Sequence, residues 1–245
     1  AEAVPAAPDE PVVEIGPGTG ALSVHLIQAY RSVHLVETDS EIIPRLRERL
    51  GTGTYAIHAA DARSFDLSQV GRPPHIVGNL PYNVAARILR WALLSRTRPA
   101  SLTCMVQREV AERICASPGG RKIGFLSVFC QFFGEPRLLF RVPPGAFFPK
   151  PRVDSAVFRI VLDGRAERRL DPSHWESFFS FVDAGYTHRR KKVFRVLAAA
   201  FPGHDIEGAF AHAGIDEMTR AEGLGVDDWV ALYAAAGGSK RGADV

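Results

Sequence analysis

The segment Val12–Gly20 restricts the fold of this chain more than any other. Val12-Val13-Glu14-Ile15 is a short apolar run that ends in Gly16-Pro17-Gly18-Thr19-Gly20, after which Leu22, Leu26 and Ile27 recur at helical spacing. An apolar run bounded this sharply by glycines reads as strand, tight turn and helix. Glycines in such a turn let a ligand touch backbone, and the first N–H groups of the following helix face an anion. The same residues satisfy the glycine fingerprint of a nicotinamide-binding domain, with Glu37 about 20 residues on. The turn by itself therefore leaves two cofactor classes open, with a ligand-free turn as the structural alternative.

The pattern then repeats. Val33–Val36, Tyr55–His58, His75–Gly78 and Leu102–Val106 read as strands, and Ile42–Leu50, Val84–Leu94 and Val110–Cys115 as helices. Strands alternating with helices predict an α/β fold, a doubly wound and mostly parallel sheet covered on both faces. Right-handed crossovers bring the loops after the strands to one edge, where ligands bind near the topological switch point. Glu14, Glu37, Asp61 and Asn79 all fall at or just past a strand end. Further along, Leu138–Phe140 and Ala156–Leu162 read as an antiparallel pair at the sheet edge. Residues 163–172 read as a polar linker, and 175–182, 192–201, 206–213 and 227–236 as helices. The expected division is residues 1–170 for the α/β domain and 171–245 for a small helical domain, with a disordered tail from 237.

Composition narrows the class. The chain has 245 residues and is 46% apolar, enough for a full core, yet no apolar run approaches the roughly 20 residues of a membrane span. Ala1–Pro11 lacks the basic and apolar regions of a secretory signal, so a cytoplasmic protein is expected. There is no initiator Met and the first strand begins almost at once, which suggests that upstream sequence is missing. Three cysteines without close spacing argue for free buried thiols, and no Cys/His cluster has zinc-ligand spacing, so no metal is expected. The net charge is only +3, but some cations cluster locally, above all in one four-residue run. Lys150, Arg152 and the run Arg189-Arg190-Lys191-Lys192 are candidate phosphate contacts, with ordinary solvated faces as the alternative.

The strand ends carry chemistry. Glu37 can accept two hydrogen bonds from a ribose diol under either cofactor reading. Asp61 can accept from an adenine amino group while the Ala62 N–H bonds to a ring nitrogen; its structural alternative is a helix N-cap. Asn79-Leu80-Pro81-Tyr82 is the sharpest signal. An aromatic amine is a poor nucleophile because its lone pair is delocalised into the ring. Two acceptors, the Asn79 side-chain oxygen and the Leu80 carbonyl, can hold its two N–H groups and aim the lone pair at an electrophilic methyl. Pro81 stiffens the segment, and Tyr82 offers a face on which a flipped-out base stacks. An ordinary turn is the alternative.

Taken in order and spacing, Val13–Gly20, Glu37, Asp61-Ala62 and Asn79–Tyr82 resemble class I, Rossmann-like amino-methyltransferases. More narrowly they resemble the ribosomal RNA adenine N6,N6-dimethyltransferase family, in its kasugamycin-resistance branch that acts on the small subunit. Val142–Val157, with Phe147-Phe148-Pro149-Lys150-Pro151-Arg152 at its centre, is similar to that branch throughout, as is Thr187–Lys192. The resemblance runs from about Val12 to Ala235. It implies that Gly16, Gly18 and Gly20, with Glu14, line the methionine end of S-adenosylmethionine, that Glu37 holds its ribose, and that Asp61 and Ala62 hold its adenine. It further implies that Asn79, which also borders the cofactor, and Tyr82 position the target base and that Phe147 is a second stacking aromatic; plain core is the alternative for Phe147, a role that Phe148 beside it could fill instead. The implied substrate is two adjacent adenosines near the 3′ end of small-subunit rRNA, each dimethylated at N6 in naked rRNA or a subunit precursor by a monomeric enzyme. One feature departs from the family: no glycine-glutamine-asparagine-phenylalanine-leucine segment precedes Val12. Three other readings remain: a large-subunit rRNA methylase conferring antibiotic resistance, a nicotinamide-dependent dehydrogenase, and a non-catalytic assembly or transcription factor. Leu80, where the large-subunit branch more often has Ile, favours the small-subunit enzyme.

Overall fold

The computed structural model describes residues 1–81, 84–147 and 150–238. Its chain divides into two units, Ala1–Ala111 with Glu135–Asp163, and Glu112–Gly134 with Gly164–Val245.

The first unit is built on one sheet of β1 (Val12–Ile15), β2 (Val33–Glu37), β3 (Tyr55–Ala59), β4 (His75–Asn79), β5 (Ser101–Gln107), β6 (Arg137–Val142) and β7 (Ser155–Val161), in the order β3-β2-β1-β4-β5-β7-β6. The first five strands run parallel; β7 is antiparallel to β5, and β6 antiparallel to β7. This is the doubly wound sheet with an antiparallel edge that the alternation predicts. Helices α1 (Ser23–Ala29), α2 (Ile43–Leu50) and α3 (Ala85–Leu94) make the crossovers. Val12, Leu35 and Val77 on one face of the sheet pack with Leu26 of α1 and Leu46 and Leu50 of α2. Their alternates Val13, Ile15, Val36 and Ile76 are buried on the other face. Burial on both faces is why these strands read as continuous apolar runs.

At the centre, β1 and β4 lie side by side with Ile15 opposite Gly78. A Cβ on Gly78 would sit 2.7 Å from the Ile15 carbonyl oxygen, so only glycine admits this approach. The switch point of the sheet thus depends on a residue that the sequence pattern alone does not single out.

The second unit contains α5 (Phe125–Phe133), α6 (Arg165–Arg169), α7 (Trp175–Tyr186), α8 (Val193–Ala200), α9 (Ile206–Ala213) and α10 (Val226–Tyr233); α4 (Arg108–Ile114) spans the boundary after Ala111. Glu112–Gly134, including α5, groups with the C-terminal helices, and the division falls after Asp163 instead of near 170. Helix α5 is apolar nearly all round because it is a core element: the Phe132 ring lies 5.1–5.6 Å from those of Phe133, Trp175, Phe178 and Phe179. The expected linker instead forms α6, started by Gly164 in the left-handed region. Its Arg169 donates to the Gln131 and Phe132 carbonyls at 3.0 Å each, satisfying the carboxyl end of α5. Arg169 also pairs with Asp227 at 2.9 Å.

Cys104 and Cys130 are buried and Cys115 half-buried, and none of the three is in a disulfide. Among the described residues no helix is long and apolar enough to cross a membrane, and no group of three or more His, Cys, Asp or Glu could hold a metal ion.

Candidate active site

Strand order and register bring the expected residues to one edge. Gly16 follows β1, Glu37 ends β2, Asp61 follows β3 and Asn79 ends β4. Gly16 and Asn79 are neighbours across the switch point, since Ile15 and Gly78 pair just before them. This is where open α/β sheets bind ligands.

The glycine turn is held open by geometry. Gly16, Gly18 and Gly20 have φ of 66°, 53° and 84°, a region costly for other residues. A Cβ at Gly16 or Gly18 would meet nothing within 4 Å, so their backbone borders free space. Gly20 differs: its Cβ would lie 2.8 Å from Leu46 Cδ1, so it serves helix packing.

Glu37 is buried and braced. The Gly18 N–H donates to Oε2 at 3.1 Å and the Asp39 N–H to Oε1 at 3.0 Å. A carboxylate has about four acceptor positions, so two remain for a diol. Glu14 is also buried, and the Ser23 hydroxyl donates to its Oε2 at 2.6 Å. Burial pushes the Glu14 carboxyl up to about 7; the Ser23 bond opposes this, and the Glu37 charge adds to it.

Asp61 realises its structural alternative. Its Oδ1 accepts the Arg63 N–H at 2.8 Å, capping a short 3-10 turn at Ala62–Ser64, and the Arg63 guanidinium grips both oxygens. These bonds pull its carboxyl down to about 2. Ala62 beside it is buried.

Asn79 is exposed, and its side-chain amide has no hydrogen-bond partner among the described residues. The next residue is anchored: Leu80 is buried and its N–H donates to the Met105 carbonyl at 3.0 Å. The Pro81 carbonyl accepts from Val84 and Ala85 at 3.1 and 3.0 Å, which starts α3. Asn79 therefore projects from a segment fixed on both sides. Tyr82 and Phe148 lie outside the described residues. Phe147 is half-buried, its N–H donating to the Pro144 carbonyl at 3.3 Å. Lys150 and Arg152 are exposed.

In the helical unit, the basic run splits into two kinds of residue. Arg189 is built into the fold, donating to the Arg121 and Ile123 carbonyls at 3.3 and 3.0 Å and pairing with Glu222 at 3.3 Å. Arg190, Lys191 and Lys192 instead line a cavity of about 1130 Å³, together with Arg195 and Arg220. Arg190, Lys191, Arg195 and Arg220 have no ion-pair partner among the described residues. Arg195 and Arg220 are absent from the sequence-based set because they lie outside the contiguous run.

Residues 2–236 match the family model described as ribosomal RNA adenine dimethylase. The chain is 38% identical to ribosomal RNA small subunit methyltransferase A of Aromatoleum aromaticum over 238 residues, 96% of this chain and 87% of that one. It is 40% identical to the protein of the same name from Thiobacillus denitrificans over 226 residues, 92% and 86% of the two chains. Among solved structures, the 23S rRNA methyltransferase ErmE is similar at a TM-score of 0.73 and 26% identity, covering 96% of this chain and 94% of that one. A dimethyladenosine transferase from Plasmodium falciparum shares the fold at a TM-score of 0.78 and 18% identity, covering 95% and 92%. With a match that takes in both units, the chain belongs to the ribosomal RNA adenine dimethylase family.

Proposed function

We propose that this protein dimethylates N6 of two adjacent adenosines near the 3′ end of small-subunit rRNA, with S-adenosylmethionine as methyl donor, in ribosome biogenesis. The observation that carries this reading is the exposed Asn79, whose amide has no hydrogen-bond partner among the described residues, beside the open Gly16–Gly18 turn. When bound, S-adenosylmethionine supplies an electrophilic sulfonium methyl. The residues present fit it: Gly16 and Gly18 offer open backbone, Glu37 keeps two acceptor positions, and the Ala62 backbone flanks the adenine end with Asp61, whose carboxylate Arg63 shares.

In this reading the Asn79 amide oxygen and the Leu80 carbonyl each accept one N–H of the target amine. The nitrogen is thereby drawn out of conjugation, and its lone pair faces the methyl. Both acceptors are neutral, so they stabilise the positive charge that develops on nitrogen until a proton leaves to water. Alignment and electrostatics carry the catalysis, without a covalent enzyme intermediate. Tyr82 and Phe147 stack on the extruded base. Lys150, Arg152 and the cavity cations Arg190, Lys191, Lys192, Arg195 and Arg220 meet rRNA phosphates. The protein acts as a monomer in the cytoplasm.

A second reading, methylation of large-subunit rRNA, is favoured by the likeness to ErmE. The two separate in one experiment: transfer of labelled methyl from S-adenosylmethionine to small or large subunits from cells lacking such methylases. Label in the small-subunit rRNA alone is expected; label in the large-subunit rRNA would replace the proposal with the second reading.

A further inference from the structure

Beyond the carboxyl end of β5 lies a cavity of about 300 Å³ lined by Gln107, Arg108, Glu109, Arg152, Val153 and Asp154. The register sets it beside the methylation site. Asn79 pairs with Met105, so Gln107, two residues on, leaves the same face of the sheet as Asn79. One strand spacing and two residues of rise separate their Cα atoms by roughly 8 Å.

Arg108 and Asp154 fix the walls, and Gln107, Arg152 and Val153 complete the lining together with Glu109. The Arg108 N–H donates to the Asp154 carbonyl at 2.9 Å, and its guanidinium pairs with the Asp154 carboxylate at 2.8 Å. These contacts hold the start of α4 against the approach to β7. Gln107 is half-buried, yet its amide has no hydrogen-bond partner among the described residues. Arg152 is exposed without an ion-pair partner among them, and Val153 leaves an apolar side chain 42% exposed.

A free amide carries one donor and one acceptor edge to edge, the complement of adenine N7 and its amino group. An apolar side chain suits the face of a base, and a cation suits the phosphate that links two nucleotides. We propose that this cavity takes the nucleotide next to the target adenosine, and that Gln107 recognises it as adenine while Arg152 contacts the intervening phosphate. The proposal rests on the rRNA adenine reading above and adds to it the residue that selects a pair of adenines.

The test uses the full chain and unmethylated small subunits reconstituted on two rRNAs. One carries the natural adenosine pair; in the other the second adenosine is replaced by purine riboside, which lacks the amino group. The readout is kcat/KM for methylation of the first adenosine, with the Kd for each particle measured alongside so that a slow variant still reports. The unmodified protein should prefer the natural pair about tenfold. Gln107→Ala should process or bind the two alike, at the level of the purine substrate, with its affinity for S-adenosylmethionine unchanged. Equal use of both RNAs by the unmodified protein, or a preference retained in Gln107→Ala, would overturn the assignment while leaving the activity intact. Methylation of neither RNA by the unmodified protein would instead remove the reading on which the assignment rests.

Discussion

The N–H of Gly18 donates to Oε2 of Glu37 at 3.1 Å, tying the turn after β1 to the end of β2. One carboxylate thereby shapes the glycine turn and keeps acceptor positions for a ligand. Glu37→Ala removes both. Loss of hydrogen bonds to a charged group, about 1.5–3 kcal/mol, should raise the Kd for S-adenosylmethionine about 10- to 100-fold. Glu37→Gln should also weaken binding, because its NH2 must face one of the two backbone N–H donors. Titration calorimetry measures both, and unchanged affinity in Glu37→Ala would show that the carboxylate only braces the turn.

The buried Glu14 gives the ligand-free protein a defined pH response. Its carboxyl is pushed from an ordinary value of 4.5 up to about 7, so between these values the folded chain binds a proton that the unfolded chain has released. Stability from this group is fully present below pH 4.5 and is lost as pH rises through 7, by roughly 3 kcal/mol in total. Glu14→Gln should flatten the decline across that window and leave the variant more stable than the parent at pH 8. Denaturant unfolding from pH 5 to 8 checks this. An unchanged slope in Glu14→Gln would place the dependence elsewhere.

Arg189 and its neighbour Arg190 should separate under mutation. Arg189→Ala leaves the Arg121 and Ile123 carbonyls and Glu222 without their shared partner, and should lower the thermal midpoint. Arg190→Ala and Lys191→Ala should leave the midpoint within error. Each should flatten the dependence of log K on log salt for rRNA binding by roughly 0.7–0.9. The reverse pattern would move the RNA face away from the cavity.

Much of this was legible in the sequence, for reasons visible in particular residues. The parallel strands bury both faces, so Val12–Ile15 and His75–Gly78 stand out as apolar runs, and Glu37 and Asn79 are marked by where those runs stop. Helix α5 was not legible, because its two polar side chains, Ser127 and Gln131, mark no solvent face: they donate to the Arg113, Ile114 and Ala116 carbonyls. Side-chain partners were beyond reach as well. Arg189 and Arg190 are identical in sequence, and only the fold brings Glu222 and two distant carbonyls to the first of them. In the same way Arg63 converts Asp61 from a free acceptor into a gripped N-cap. The need for glycine at position 78 arises from the Ile15 carbonyl, which lies next to it only once β1 and β4 pair.

The central claim is that Asn79 orients an adenine amino group for methyl transfer. Mass spectrometry of nucleosides from unmethylated small-subunit rRNA, after incubation with S-adenosylmethionine and either the parent protein or Asn79→Ala, tests it most directly. The parent should yield N6,N6-dimethyladenosine. The variant should be slower by about a hundredfold or more, with unchanged stability, since Asn79 is exposed and forms no bond among the described residues. Dimethyladenosine formed by Asn79→Ala at the parental rate would contradict the account.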